Sequence, residues 1–242
     1  MTVTECSLTS SDVKIQTPKK RLSSEERREA IIGAARSVFA EKGFHGTTTR
    51  ELAAAARVSE ALLFQHFPNK EAIYEAMLTA CHKTAAFRRY HQLLELKAST
   101  STLMVMLHFL VTRVLLCDAE VITLHRIVLR SLSEDGHFAR ALMKSVGSTW
   151  VPKIRECIDS ARNAGDLYPG TEPLKNNAWL AQHVFLMLAL MHLPSTPAVD
   201  YKTNKEKLAE EAVVFCLRGL GLKEEAIKRH YNPRAFALLS VE

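Results

Sequence analysis

Glycine and proline are scarce in this sequence, with 9 and 8 residues among 242. Sheet proteins need many tight turns, and tight turns draw on these two residues, so their scarcity favours long helices. No stretch of useful length alternates apolar and polar residues as a half-buried strand does. The sequence therefore predicts an all-α protein.

Long apolar runs and paired cysteines are also missing. The longest apolar stretch, residues 180–193, is interrupted by Gln182 and His183 and is too short to cross a bilayer. The first 16 residues are polar and lack the apolar segment of a secretory signal. The 5 cysteines are scattered without a CxxC pair, which is typical of reduced thiols. These features predict a soluble cytoplasmic protein with no membrane partner.

Most sequence patterns of enzymes are absent as well. There is no P-loop, no GxGxxG motif after a strand and no nucleophile elbow. No set of His, Cys, Asp and Glu residues has the spacing of a zinc site. We therefore predict no catalysis, no metal and no cofactor. Two alternatives stay open, a helical enzyme and a helical protein-interaction module, neither with a role in binding DNA.

Net charge is +6, which is compatible with a polyanionic partner. Residues 1–70 hold 11 basic and 8 acidic side chains, so they carry only half of the net positive charge. Charge alone therefore does not locate a binding surface. Residues 1–21 are rich in Ser and Thr and end in Lys19-Lys20-Arg21. They predict a disordered arm that finishes in a basic cluster.

Short-range signals mark four helix starts after this arm. Ser23 and Thr48 are each followed three residues later by a glutamate, which is the spacing of a capping box. Gly43 is suited to end the first helix in the left-handed conformation, and Pro68 ends the third. The predicted N-caps are Ser23, Thr48, Ser59 and Asn69.

Two short helices, near 48–55 and 59–66, flank a three-residue turn at 56–58. This arrangement predicts a helix-turn-helix, in which the second helix enters the major groove of DNA and presents its first side chains to base edges.

Here the chain resembles the TetR family of transcription regulators, over residues 27–78. The resemblance is carried by Ile32, Ala34-Ala35, Val38-Phe39, Gly43-Phe44, Thr47-Thr48-Thr49, Glu51-Leu52-Ala53, Val58-Ser59, Leu63-Phe64-Gln65-His66-Phe67 and Lys70-Glu71. It implies an N-terminal three-helix DNA-binding domain and a larger C-terminal helical domain that dimerises and encloses a ligand pocket. We place the first domain at 22–70 and the second at 71–242.

Two positions depart from the family pattern. The family usually has glycine where this chain has Arg57, and a left-handed turn there would cost arginine roughly 1 kcal/mol or more. Arg57 strains the turn or adds a phosphate contact. The family usually has tyrosine where this chain has Phe64, which lacks a hydroxyl that could reach a phosphate.

The helix-turn-helix predicts a set of DNA-contacting residues. Gln65 is suited to pair with adenine through two hydrogen bonds, whereas Arg50 and Lys70 are placed to contact phosphate. The predicted set is Thr48, Thr49, Arg50, Arg57, Ser59, Glu60, Ala61, Phe64, Gln65, His66 and Lys70.

Helical spacing continues through the rest of the chain, near 70–97, 101–117, 119–133, 136–164, 172–192 and 202–219, with a kink or break at Pro152. The resemblance implies that the last two of these helices form the dimer interface. The predicted interface residues are Trp179, His183, Leu186, Leu190, Leu208, Ala212 and Phe215. The candidate pocket residues are Met104, His108, Arg113, Cys117, Arg126, Trp150, His183 and Met187.

Together these expectations describe a homodimeric repressor that binds a palindromic operator in double-stranded DNA. An unknown small-molecule effector in the C-terminal domain is expected to favour a dimer whose recognition helices no longer match the two half-sites. DNA and effector then oppose each other by linkage.

Overall fold

The computed structural model of the chain describes residues 22–81, 85–116, 119–171 and 175–238, which form twelve α-helices and no strand. The predicted all-α fold is confirmed, and the predicted arm at 1–21 lies outside the described residues. The helices are α1 (Ser24–Lys42), α2 (Thr49–Ala55), α3 (Glu60–His66), α4 (Lys70–Cys81), α5 (Ala85–Glu95), α6 (Thr100–Leu115), α7 (Ala119–Ser133), α8 (His137–Asn163), α9 (Asn177–Met191), α10 (Lys205–Gly219), α11 (Glu224–His230) and α12 (Pro233–Leu238).

All four predicted N-caps are confirmed. In each, a side-chain oxygen accepts a backbone N–H that the helix itself leaves unbonded, at 2.8–3.3 Å. Gly43 has the expected positive φ of 72°, but its ψ of −178° lies outside the left-handed helical region. The acceptor and donor pairs are Ser23 with Glu26, Thr48 with Glu51, Ser59 with Leu62, and Asn69 with Ala72.

Two hydrophobic clusters hold the helices together. The first joins α1 to α4 with α7 and the start of α8, and it includes Phe39, Leu63, Ile127 and Phe138. The second joins α5, α6 and α8 to α11 around Trp150. The first core thus extends well past residue 70, so the helix-turn-helix shares its interior with three helices of the predicted C-terminal domain, namely α4, α7 and the start of α8. The boundary at 70 stays a prediction.

Several helix bounds differ from the predicted ones. The segment 70–97 is described as α4 and α5, with 82–84 outside the described residues. Helix α8 runs through Pro152 without ending there, so the predicted break is wrong. Helices α11 and α12 were not predicted, although Asn232 caps α12 and Pro233 occupies its first position, a common start signal.

The described part of the chain has no helix that is both long and apolar enough to cross a membrane. It also has no group of three metal-ligating side chains. Cys157 and Cys216 are buried free thiols, and burial raises the pKa of both, that of Cys216 to about 12. They therefore stay protonated at neutral pH and pack as small apolar side chains.

Candidate nucleic-acid interface

The turn between α2 and α3 closes as a Schellman motif. The N–H of Val58 donates to the carbonyl of Ala53 at 3.0 Å, and the N–H of Arg57 donates to that of Ala54 at 3.1 Å. Arg57 occupies the position that needs a positive φ, and its φ is 55°. The sequence prediction that arginine replaces glycine at a left-handed position is therefore confirmed.

Helix α3 has one buried side and one exposed side. Leu63 is fully buried within the helix, and Phe67 is buried directly after it. Leu62, between these two faces, is half-buried. Side chains one helical turn apart share a face, so the opposite side presents Glu60, Ala61, Phe64 and Gln65 to solvent, with Phe64 44% exposed. The structure thus places these members of the predicted DNA-contacting set on one surface, with His66 half-buried at its edge.

The start of α2 is fixed by a closed set of hydrogen bonds. The backbone N–H and the hydroxyl of Thr48 both donate to Glu51 Oε2 at 2.9 Å. Thr48 is exposed, Thr49 is half-buried and Arg50 is exposed on the same turn. Residues Thr48 to Arg50 therefore lie at an ordered, accessible helix start, as a phosphate contact requires.

An ion pair keeps this cap charged. Lys42 Nζ donates to Glu51 Oε1 at 2.5 Å. This bond, together with those from Thr48, lowers the pKa of Glu51 to about 2. Glu51 thus remains a carboxylate throughout the physiological pH range and keeps the Thr48 cap formed.

Lys70, which was predicted to contact a DNA phosphate, forms hydrogen bonds within the protein. Its Nζ donates to the carbonyls of Phe44 and Thr47 at 2.8 and 3.0 Å and lies 4.2 Å from the centre of the Phe44 ring. Two of its three hydrogens are therefore used to fix the loop between α1 and α2. The phosphate contact of Lys70 stays a prediction, and these hydrogen bonds give Lys70 a role in shaping the interface.

Arg28 supports the recognition helix, and sequence reasoning missed it. Its Nη1 donates to the carbonyl of His66 at 2.7 Å, and its guanidinium lies 4.1 Å from the centre of the Phe67 ring. Arginine on α1 thus holds the C-terminal end of α3. The only signal for Arg28 in the sequence was weak, namely a basic residue on a helix that had to pack nearby.

Replacing Arg57 by glycine is expected to change stability and DNA affinity in opposite directions. Glycine relieves the strain of φ 55°, so the free energy of unfolding should rise by roughly 1 kcal/mol in urea denaturation. The lost positive charge should weaken DNA binding. Arg57→Ala removes the same charge and keeps the strain, so it separates the two effects. A glycine variant no more stable than the alanine variant would contradict the strained turn.

The predicted dimer residues divide into three groups by exposure. His183 and Phe215 are exposed, Phe215 by 65%, whereas Leu208 and Ala212 are buried against the protomer's own core. Trp179, Leu186 and Leu190 are half-buried. This is a correction, because α10 faces inward at Leu208 and Ala212 and cannot offer them to a partner as large contacts. Two exposed apolar side chains on α9 were absent from the predicted interface, namely Leu180 and Met187, at 55% and 52%.

The predicted ligand pocket is also corrected. Met104 and Trp150 fill the core, Arg113 is half-buried, and Cys117 lies outside the described residues. Arg126 is exposed and donates to the carbonyl of Leu193 at 2.9 Å, while His183 and Met187 are exposed on α9. Among the predicted pocket residues that the structure describes, only His108 lines the groove of about 230 Å³ between α5, α6 and α12. The groove is lined by Arg89, Gln92, Leu93, Leu96, Val105, His108, Phe109 and Phe236.

Residues 31–77 match the family model described as bacterial regulatory proteins of the tetR family. Over 49 residues the chain is 45% identical to the uncharacterized HTH-type transcriptional regulator YvkB of Bacillus subtilis, covering 20% of this chain and 26% of that one. Over 54 residues it is 37% identical to IcaR of Staphylococcus aureus, a negative transcriptional regulator of the biofilm operon icaADBC, covering 22% and 29%. The chain thus spans less than a third of these curated relatives.

The solved structure of AibR in complex with isovaleryl coenzyme A and operator DNA is similar over most of the fold. It covers 78% of this chain and 97% of its own, with a TM-score of 0.61 and 20% identity. Likeness at this identity concerns the fold, whereas the match at 31–77 concerns the residues of the helix-turn-helix. Residues 31–77 therefore carry a helix-turn-helix of the TetR-family type.

Proposed function

We propose that this protein is a sequence-specific DNA-binding transcription repressor that acts as a homodimer and is released from its operator by a small molecule. The observation that carries the proposal is the exposed face of α3, where Glu60, Ala61, Phe64 and Gln65 lie beside the ordered start of α2. Because α3 is held by Arg28 from behind, this face is available to enter a major groove. The protein acts by binding, without catalysis.

Dimerisation is supported by the outer faces of α9 and α10. Leu180, His183 and Met187 are spaced along one exposed face of α9, and Phe215 is the most exposed large apolar side chain of α10. Leu180, Met187 and Phe215 are each more than half exposed, and exposed apolar side chains on neighbouring helices are suited to contact another protein. A second copy that covers them would place two recognition helices on one palindromic site.

The groove beside His108 supports an effector site. Its walls are largely apolar, with Arg89 and Gln92 as polar groups, which is the composition of a small-molecule site. His108 Nδ1 is 2.9 Å from the hydroxyl of Tyr231, and burial lowers the pKa of His108. A neutral imidazole there is compatible with an apolar or weakly polar ligand. AibR, with the same fold, is seen with an acyl coenzyme A and operator DNA together, and IcaR is a negative regulator by name.

Release follows if the effector and the operator prefer different arrangements of the dimer. The effector stabilises one arrangement by its differential affinity, and DNA stabilises the other. Binding of either ligand then lowers the affinity for the other by the same factor.

The first test is selection of bound sequences from random duplex DNA, followed by fluorescence anisotropy over a salt series. We expect a palindromic consensus bound at least a thousandfold more tightly than scrambled DNA. Gln65→Ala should relax the preference at one base pair of each half-site by about 1–3 kcal/mol. Arg50→Ala should weaken all sequences alike and lower the salt slope by about 1 per protomer.

Arg234→Ala is the matched control, because Arg234 is an exposed arginine on α12 whose loss removes the same charge outside the interface. An equal loss of DNA affinity in Arg234→Ala and Arg50→Ala would mean that only the overall charge of the protein determines binding. Failure of the wild-type protein to enrich any sequence would overturn the proposed function.

A further inference from the structure

The turn between α7 and α8 reaches across to the loop between α1 and α2. Oε2 of Glu134 accepts the backbone N–H groups of Phe44 and His45, at 3.1 and 3.4 Å. The carboxylate lies in the space that a side chain on residue 43 would fill, because a Cβ on Gly43 would overlap Glu134 Oε1. Glycine at this position thus lets a carboxylate approach the backbone of the loop.

A second contact lies one turn earlier on α7. Arg130 Nη2 donates to the carbonyl of Glu41 at 2.8 Å, in the last turn of α1. This carbonyl lies at the negative end of the α1 dipole, where a cation is favourable. The negative Glu134 accepts the N–H groups that follow α1, and the positive Arg130 donates to a carbonyl in its last turn. The charges of the two side chains are therefore complementary to the backbone groups that they contact.

Phe44 is held from two sides by two parts of the molecule. Its N–H is bound by Glu134 from the α7–α8 turn, and its carbonyl and ring are bound by Lys70 at the start of α4. The loop continues directly into Thr48, the N-cap of α2. The position of α2, and of α3 packed against it, is therefore tied to α7.

We infer that Glu134 and Arg130 are positioning residues through which the C-terminal helices hold the helix-turn-helix in its DNA-binding arrangement. This inference rests on the proposed function. A shift of α7 that withdraws Glu134 and Arg130 frees the loop, so a smaller fraction of the protein presents α2 and α3 correctly. The apparent DNA affinity then falls in proportion to that fraction.

The experiment compares Glu134→Ala with Glu225→Ala, which removes the same charge from an exposed position on α11. Amide hydrogen exchange by NMR reports the contact without DNA, and anisotropy on the selected duplex reports its effect. In Glu134→Ala we expect exchange at Phe44 and His45 to speed up about tenfold and DNA affinity to fall about tenfold, because a charge-assisted hydrogen bond is lost. Dimer mass and thermal midpoint should match those of the control.

A double-mutant cycle with Gly43→Ala isolates the carboxylate contact. The alanine strains the positive φ of 72° in both backgrounds, but it overlaps a carboxylate only when Glu134 is present. We expect Gly43→Ala to reduce DNA affinity strongly in the wild-type background and at least fivefold less in Glu134→Ala. Unchanged amide exchange in Glu134→Ala, or faster exchange with unaltered DNA affinity, would overturn the inference. If wild-type protein selects no DNA, the proposed function fails first and this inference fails with it.

Discussion

The variant Met187→Glu/Phe215→Glu is expected to be a monomer of 27.1 kDa and to bind the operator about a thousandfold more weakly than the wild-type dimer. Both side chains are more than half exposed in the protomer, so glutamate at either position meets no packing constraint when the chain is alone. In a symmetric dimer each substitution occurs twice, and four carboxylates would be buried without partners. Each monomer would then bind one half-site, without the gain in affinity from linked recognition helices.

Multi-angle light scattering gives the mass, and anisotropy on the selected duplex gives the affinity. Leu129→Glu is the control, because Leu129 is an apolar side chain of α7 that is 45% exposed and lies outside the proposed interface. It should leave both the mass and the DNA affinity unchanged. A double variant that remains dimeric, or a control that dissociates, would place the interface elsewhere, and a monomeric wild-type protein would remove the dimer from the proposed function.

Local chemistry explains why the helix-turn-helix was predictable from the sequence. The capping box of α2 is formed by Thr48 and Glu51, which are three residues apart. The sequence pattern and the hydrogen bonds that it predicts therefore lie within the same few residues. The strained position of Arg57 was visible only through the resemblance to the TetR family, which usually has glycine there, and its φ is 55°. The exposed face of α3 then follows from helical periodicity once Leu63 and Phe67 are buried.

Helices α9 and α10 were not predictable to the same degree. Apolar residues occur on every side of α9, so periodicity does not choose between the core and a partner. The choice depends on which side α6 and α8 cover, and that is a property of the assembled fold. Leu208 and Ala212 of α10 were assigned to the dimer surface because the family resemblance implied an interface there, whereas the structure buries them.

Contacts between distant segments were also beyond the sequence. The residues 133–136 indicated only a helix break, yet Glu134 binds a loop 90 positions earlier in the chain. Likewise the groove beside His108 is closed by Phe236 of a short helix that periodicity did not reveal. In both cases the residues near one partner of the contact contain no sequence pattern that predicts the contact.

His125 makes the fold sensitive to acid, and we expect this sensitivity to be measurable well above the pH at which carboxylates titrate. The side chain lies on α7 and is 7% exposed, and burial lowers its pKa from 6.5 to about 4. Above pH 6.5 the imidazole is neutral in both folded and unfolded chains. Below that value the unfolded chain takes up the proton first, so the free energy of unfolding falls as the pH is lowered towards 4.

The expected loss is about 2 kcal/mol between pH 7.5 and pH 5, since a shift of one pKa unit corresponds to about 1.4 kcal/mol. Most of this loss of stability occurs at a higher pH than the loss caused by protonation of Glu51. The pKa of Glu51 is about 2, so its contribution is lost only at lower pH. His108 is also held neutral by burial and adds a loss of the same sign, so a variant is needed to assign the share of His125.

Urea denaturation of His125→Gln from pH 7.5 to pH 5 makes that assignment, with the exposed His91→Gln as control. The His125 variant should lose about 2 kcal/mol less than wild type over this range, whatever its stability at neutral pH, because glutamine takes up no proton. The control should follow the wild-type slope. Equal slopes for wild type and His125→Gln would show that the imidazole is solvated.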